Sequence, residues 1–426
     1  MKRLAIAVVA ALAGLAAWAM PAPELAAGVV VELPEPSAGA RATVWFCPGA
    51  EGEVDPILAA AVLSPGLVGF SLPGGGEILD SFQNRVGVGV SEWDLGDGLL
   101  FYPGPAIIES STSPSAVAVI YRGPQQVAAD GCYTAAKEWF LNGAAITASE
   151  TLTLRLFNPL LEPARVSLEV VTEFGFEPLL DLETVTVGPR SWEDVSLSLL
   201  LGAREQVAVR VAIGEGVAIP SLHATGPSGL AVWPGESPSA TWEFPLAQVA
   251  GTTGIISVWN PGSESTTVDI EVVGRQGPLG RFDLDLGPGR EGRFDVSSVT
   301  TLEAGVVLRS SMAVVAAMRS DGPNAATASV GIPRPVEHWL VPGHNVVPDL
   351  ASYVFVLNSG DDPVEVVAGP VGAGPGPPFT VEGHSLARLE LAGRGADITA
   401  GGPISVAWLV TGTSDAGLAL GVPTSP

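Results

Sequence analysis

The sequence predicts an all-β chain: four tandem antiparallel β-sandwich domains behind an N-terminal hydrophobic helix. Three observations support this. A tryptophan on a strand-like segment recurs at Trp45, Trp139, Trp242 and Trp339, spaced 94, 103 and 97 residues apart. Each is followed 18 or 19 residues later by a turn, at Ser64-Pro65-Gly66, Asn158-Pro159, Asn260-Pro261-Gly262 and Asn358-Ser359-Gly360. Finally, 52 Gly and 37 Pro punctuate short runs rich in Val, Leu and Thr, while charged residues make up only 15% of the chain. That is the texture of strands and turns. A period of about one hundred residues is a domain length, longer than the units that stack into solenoids. The 426 residues can therefore hold four separate cores.

Residues 1–20 open on Met1-Lys2-Arg3 and continue uncharged from Leu4 to Met20. A basic start ahead of an apolar stretch marks export. The apolar stretch is at the low edge of what a spanning helix needs, about 20 residues. A cleaved signal peptide and a retained signal anchor both stay open. Residues 21–40, rich in Pro and Ala, read as a linker. The expected location is extracytoplasmic, either secreted or anchored at the cytoplasmic membrane.

The sandwiches are placed at 41–136, 137–238, 239–336 and 337–426, where Pro/Gly/Ser clusters precede each later Trp strand. The second and third show the pattern best. In Ala164–Val171 the apolar Val166, Leu168 and Val170 alternate with Arg165, Ser167 and Glu169, as in a strand with one wet face. A hairpin aligns without gaps at Val185–Leu197, Leu284–Val296 and Phe379–Leu391, with a Gly/Pro turn in the middle. Three closing strands bring each copy to about seven, the count of an immunoglobulin-like sandwich. The first copy diverges through its Gly-rich stretch up to Gly104. Links this short predict a semi-rigid rod of domains.

Trp45, Trp139, Trp242 and Trp339 are expected in the core, because a large ring at one inter-sheet position in every copy is a requirement of the fold. Trp93, Trp192, Trp233 and Trp408 fall outside that pattern. Trp192 sits at the hairpin tip where the other copies carry Glu291 and Leu386. It is the candidate for an exposed binding aromatic. Cys47 and Cys132, the only cysteines, lie at the two ends of the first sandwich. In an exported chain they are expected to form a disulfide.

The net charge is −25, with no Lys/Arg cluster after Arg3. Phosphate backbones need the opposite, so nucleic acid is excluded as a partner. Gly383-His384-Ser385-Leu386-Ala387 has the look of a hydrolase nucleophile elbow. It aligns with hairpin turns, however, and alternating strand residues follow it where an elbow needs a helix, so Ser385 is not assigned as a nucleophile. His338, His344 and His384 lack the spacing of a zinc pair on one helical turn and, with His223, read as surface histidines. Asp94-Leu95-Gly96-Asp97-Gly98 and Asp361-Asp362 do not fit a calcium-loop pattern and read as turns. No catalytic residue, metal ligand or cofactor is assigned.

The Trp strand, the Asn-Pro turn, the Gly188-Pro189-Arg190 and Gly287-Pro288-Gly289-Arg290 hairpins and the run from Val307 to Ser320 together resemble a family of unknown function. Its members are exported proteins of high-GC Gram-positive bacteria, with an N-terminal hydrophobic segment and tandem β-sandwich repeats. The resemblance covers about residues 41–426. It implies an extracytoplasmic, envelope-associated protein and carries no catalytic residues across. The first copy, which lacks Asn-Pro, and the fourth, with Asn358-Ser359, depart from the pattern. The expected role is therefore a non-enzymatic structural or binding protein of the cell envelope, whose partner is an envelope protein or polysaccharide. A carbohydrate-binding protein using exposed aromatics, and a hydrolase with its site in the first domain or at a domain junction, are the alternatives.

Overall fold

One strand plan repeats four times. In the second copy the first strand is Glu138–Ile146, the second Thr151–Asn158 and the third Ala164–Thr172. The fourth is split into Gly175–Glu177 and Val185–Val187, and the fifth is Ser191–Ser196. The sixth is split into Arg204–Glu215 and Ile219–Gly226, and the seventh is Gly229–Pro234. Strands one, six, three and four make one antiparallel layer; strands five, two, six and seven make the other. The same pairings recur from Thr43–Cys47 to Gln126–Gly131, from Ser239–Gln248 to Ala326–Val330 and from Val336–Val341 to Ala416–Leu420.

The structure is a computed structural model that describes residues 43–50, 54–95, 104–111, 115–123, 126–179, 182–323, 325–343, 350–391, 395–412 and 415–424. The N-terminal hydrophobic segment, the 21–40 linker, His344 and Gly96-Asp97-Gly98 lie outside them. Among the described residues no helix is long and apolar enough to cross a membrane. In the third and fourth copies the sixth strand runs unbroken, as Ala304–Asp321 and Ala396–Thr411, and serves both layers. Its first half pairs with the first strand and its second half with the second. An immunoglobulin sheet sets the first and second strands side by side; here the first pairs with the sixth. The likeness is one of strand count and of two stacked layers.

The first strands hold matching registers. Trp45 lies opposite Ile108, Trp139 opposite Val211, Trp242 opposite Leu308 and Trp339 opposite Ile398. Trp139, Trp242 and Trp339 are buried between the layers, whereas Trp45 is only half-buried. The Trp242 ring N–H donates to the Val314 carbonyl (2.8 Å) and that of Trp339 to Ile404 (2.9 Å). Buried indoles are well placed when the ring fills the core and the N–H finds a backbone acceptor.

The turn asparagine is a second fixed point. Asn260 is fully buried; its amide donates to the Glu264 and Gly287 carbonyls (2.7 and 3.1 Å) and its oxygen accepts from the Gly262 N–H (3.0 Å). Asn158 and Asn358 repeat this, reaching Val187 and Gly188 in one copy and Val381 and Glu382 in the other. One side chain thus ties the turn after strand two to the hairpin between strands four and five. At the tip of that hairpin the backbone turns left-handed at Arg190, Gly289 and His384 (φ 43°, 64° and 50°). This equivalence confirms that the three hairpins align.

The expected rod does not form: residues 42–426 make one compact unit, and the reason is burial of the second layer on both faces. Along Asp55–Val62 every residue after Asp55 is buried, while Ala164–Thr172 alternates in its first six residues. The core of the first copy takes in Leu230 and Val232 of the second, and that of the second takes in Ala317, Ala326 and Ala328 of the third. The third takes in Phe355, Leu357 and Leu409 of the fourth, and the fourth closes on Ile57, Ala118 and Ile120 of the first. The residue after each first-strand tryptophan locks the next copy. Phe46 meets the Phe157 ring (6.4 Å between centroids), Phe140 meets Trp259 (5.6 Å), and Leu340 packs with Ala61 and Ala116. At the remaining junction Glu243 accepts hydrogen bonds from the hydroxyls of Ser359 and Ser405.

The four seventh strands lie against one another at the centre. They carry small residues there, among them Ala128, Ala129, Ala231, Ala328, Ala416 and Ala419. A Cβ on Gly417 would stand 2.4 Å from the Ala129 nitrogen, so that approach requires glycine. The seventh-strand edges, which would otherwise offer unpaired backbone to other chains, cover one another there.

We predict that Trp242→Ala lowers stability by about 3–5 kcal/mol and Asn260→Ala by about 1–3 kcal/mol, each read as a lower urea midpoint. A Trp242→Ala midpoint equal to the parent's would show that the ring carries no core packing.

Candidate functional site

Cys47 and Cys132 are joined by a disulfide with Cα atoms 4.3 Å apart, closing the first copy. Trp192 is half-buried where an exposed aromatic was expected. It faces Phe157 across the strand pair, and the Arg155 guanidinium lies 5.4 Å from its ring centre. That arginine, itself buried, forks onto Asp194 (2.7 and 2.8 Å). Trp192 therefore belongs to the seam between the first two copies. Trp233 and Trp408 are fully buried, with ring N–H groups on the Asn142 carbonyl and the Ser352 hydroxyl.

Three histidines depart from the surface reading. His223 is fully buried beside Ser221 (2.8 Å), and burial pushes its pKa well down, so it stays neutral. His338 is half-buried against Asp397 (2.6 Å). His384 bridges Asp361 (2.8 Å) and the buried Glu271 (3.2 Å) across the seam between the third and fourth copies. Ser385 is buried in the strand Ser385–Leu391 opposite Asn358, and its hydroxyl donates to the Glu382 carbonyl (2.7 Å). Asp94 ends a strand, and Asp361 holds His384. Among the described residues no cluster of His, Cys, Asp or Glu is suited to a metal.

Sequence reasoning passed over a surface that the structure brings out. The hairpin of strands three and four carries exposed apolar side chains in three copies, Phe174 at its turn and the others on the fourth strand: Leu79 and Phe82, Phe174 and Phe176, and Leu279 and Phe282. Exposure runs from 38% at Phe282 to 74% at Phe174. A signal was present, since Leu79 and Leu279 stand five residues past Gly74 and Gly274 at the equivalent strand ends, each with Phe three residues on. The second pair has charged company. Arg204 lies 5.6 Å from the Phe174 ring and bonds Glu177 (3.2 Å), while Glu173 accepts the N–H groups of Glu205 and Gln206. In the fourth copy the corresponding segment is spent on closure, with Gly372 against Val88 of the first.

The same turns line the outer ends of the seams. Gly175 lies beside Arg290 of the next copy, and Gly76 beside Pro189. At the third seam a cleft of about 460 Å³ opens between Gly274–Leu279 and Arg388 of the fourth copy. Glu303 sits between two guanidinium groups there, Arg275 and Arg388 (2.7 Å to the latter), and Arg388 stacks 3.8 Å from the Tyr353 ring centre.

Deeper inside, the seam between the second and third copies buries an acid. Glu291 stands where the other hairpins carry Trp192 and Leu386, and its carboxylate oxygens accept no well-formed hydrogen bond. Burial pushes its carboxyl up to about 7; the Arg293 guanidinium (3.5 Å), the Gly143 N–H and the Ser257 hydroxyl oppose this without cancelling it.

Comparison with known proteins adds one family. Residues 121–329 match the model of a family of unknown function, DUF5719. The matched stretch runs from the sixth strand of the first copy to the seventh of the third. No curated protein matches the chain. Among solved structures, Thermotoga maritima 1070 is 14% identical with a TM-score of 0.21, over 22% of this chain and 94% of its own. A tetra-tandem repeat from the extending region of a large adhesion protein is 10% identical with a TM-score of 0.12, over 86% and 93% of the two chains. Streptomyces avermitilis alpha-L-rhamnosidase, complexed with L-rhamnose, is 12% identical with a TM-score of 0.13, over 86% of this chain and 55% of its own. Scores of this size assign neither fold nor role.

Two predictions follow from the site geometry. A serine-directed phosphonate probe leaves Ser385 unlabelled in the folded protein; labelling that disappears in Ser385→Ala would reverse this. For Glu291, the unfolded carboxyl titrates at its ordinary 4.5 and the folded one at about 7. Between these values the folded chain holds a proton that the unfolded chain has released. Stability therefore falls as pH rises from 4.5 to 7, and Glu291→Gln flattens that slope, gaining on the order of 3 kcal/mol at pH 8. Parallel stability profiles for parent and variant would refute this.

Proposed function

We propose that the chain is a non-enzymatic structural and binding protein of the cell envelope. In this reading its N-terminal segment exports it, as signal peptide or membrane anchor, and four tandem immunoglobulin-like sandwiches follow outside the cytoplasm. The recurrence of exposed Leu and Phe pairs at one place in three copies carries the reading. Exposed apolar groups of that size mark contact surfaces, and repeats that each bind weakly reach useful affinity together.

The partner is an envelope polysaccharide or protein, and not nucleic acid, given a net charge of −25. The aromatic pair Phe174 and Phe176, beside Glu173 and Glu177, favours the carbohydrate form of this reading. Sugar rings stack on exposed aromatic faces while neighbouring carboxylates accept their hydroxyls. Of the seams, the first two use their arginines and acids to hold copies together, which supports a structural role for those charges.

The test is retention of the full chain on isolated, washed cell envelopes. Replacing Leu79, Phe174 and Phe176 together by Ser is expected to lower retention at least about tenfold with unchanged melting, a loss equivalent to about 1.4 kcal/mol. Equal retention would remove the hairpin tips from the binding surface.

A further inference from the structure

We propose that the cleft at the seam between the third and fourth copies binds a small monoanion that carries a carboxylate beside a compact apolar face. The cleft measures about 460 Å³, within the range of small-ligand sites, roughly 300–1,000 Å³. Its charged residues are Arg275, Arg388 and Glu303. Two guanidinium groups share one carboxylate, which leaves a single positive charge unmatched in a chain whose net charge is −25. That balance suits a group with one negative charge.

A guanidinium has five N–H donors in a planar fork that fits a carboxylate with two parallel hydrogen bonds. Glu303 engages one edge of each arginine and so holds both in place. Stacking on Tyr353 further fixes Arg388, and a pre-positioned fork loses less freedom on binding. Leu279 and Leu302 stand 48% and 70% exposed on the wall and offer the apolar contact. The Gln276 side chain at the turn supplies a neutral donor and acceptor. The cleft takes in the third copy's turn but none of the side chains replaced in the retention test, so failure of carboxylate binding and failure of envelope retention are separately visible.

The experiment is ligand-observed saturation-transfer NMR on the full chain at low salt, with methyl glucuronide and N-acetylalanine as carboxylate probes and methyl glucoside as the neutral control. Transfer is expected to at least one carboxylate and not to methyl glucoside. Transfer to methyl glucuronide alone assigns the site to uronic acids, and transfer to N-acetylalanine alone assigns it to peptide ends; both outcomes support the proposal. Arg275→Ala and Arg388→Ala are each expected to weaken binding at least about tenfold. Glu303→Gln keeps an oxygen acceptor that still positions the guanidinium groups while removing the competing charge, and is expected to strengthen binding several-fold, whereas a Glu303 that acts only by holding the arginines would give weaker binding. If Arg388→Ala melts early, Arg388→Lys keeps the charge, loses the fork and is expected to bind weakly. No transfer to either carboxylate, equal transfer to methyl glucoside, or undiminished transfer in both arginine variants would overturn the assignment.

Discussion

Burial of one layer on both faces is the constraint on which the rest of the structure depends. A sandwich of ordinary design covers one face of each sheet and leaves the other to water. Here the layer of strands five, two, six and seven has its inner face in its own core and its outer face on a neighbour. At roughly 25 cal/mol for each Å² of apolar surface removed from water, no copy can leave that face bare and stay folded at the margin typical of domains. Each copy therefore needs its neighbour, and the fourth needs the first. The small residues of the seventh strands and the glycine at 417 follow from this, because four edges meeting at one place leave room for little more than a methyl group.

Apolar junctions alone would let similar copies pair in the wrong order. The charged groups set into them differ from seam to seam. Arg155 bonds Asp194 and reaches the Ala50 carbonyl of the first copy, and Arg319 of the third bonds Glu150 of the second. Glu243 meets two serines of the fourth. A buried ion pair adds little net stability, but a mismatched junction leaves one partner unpaired at a cost of several kcal/mol, about 3–5 by analogy with broken buried pairs. The order of the copies is thereby selected by what the wrong order would strand. Glu291 is the exception, an acid with an incomplete set of partners, whose carboxyl burial pushes up to about 7.

Much of the repeat was legible because it rests on local chemistry. The tryptophan, the turn asparagine and the left-handed hairpin position each solve one backbone problem, and each recurs at a constant offset. The arrangement of the copies was misread from the short links between them, while the alternation of Val166, Leu168 and Val170 correctly marked a strand with one wet face. The runs Pro56–Val62, Ala116–Tyr121 and Ile404–Val410 already lacked polar alternation, the mark of a sheet covered twice. Trp192 was misjudged for the same reason: a hairpin tip is exposed on an isolated sandwich and covered once another packs on it. Exposed Leu79 and Phe82 were hidden in a strand that reads as ordinary half-buried sheet, since sequence alone does not say which edge stays free.

Closure of the fourth copy onto the first also sets a schedule. A chain made from its N-terminus completes the first sandwich and its disulfide early, yet Ile57, Ala118 and Ile120 stay uncovered until the last quarter of the chain arrives. Contacts that span nearly the whole sequence form slowly, because the loop between them must be closed first. Throughout that interval a ready-made adhesive face points outward, the kind of surface that recruits chaperones or pairs two nascent chains by exchange of a terminal domain. The last copy thus acts as a lid on the biogenesis of the first.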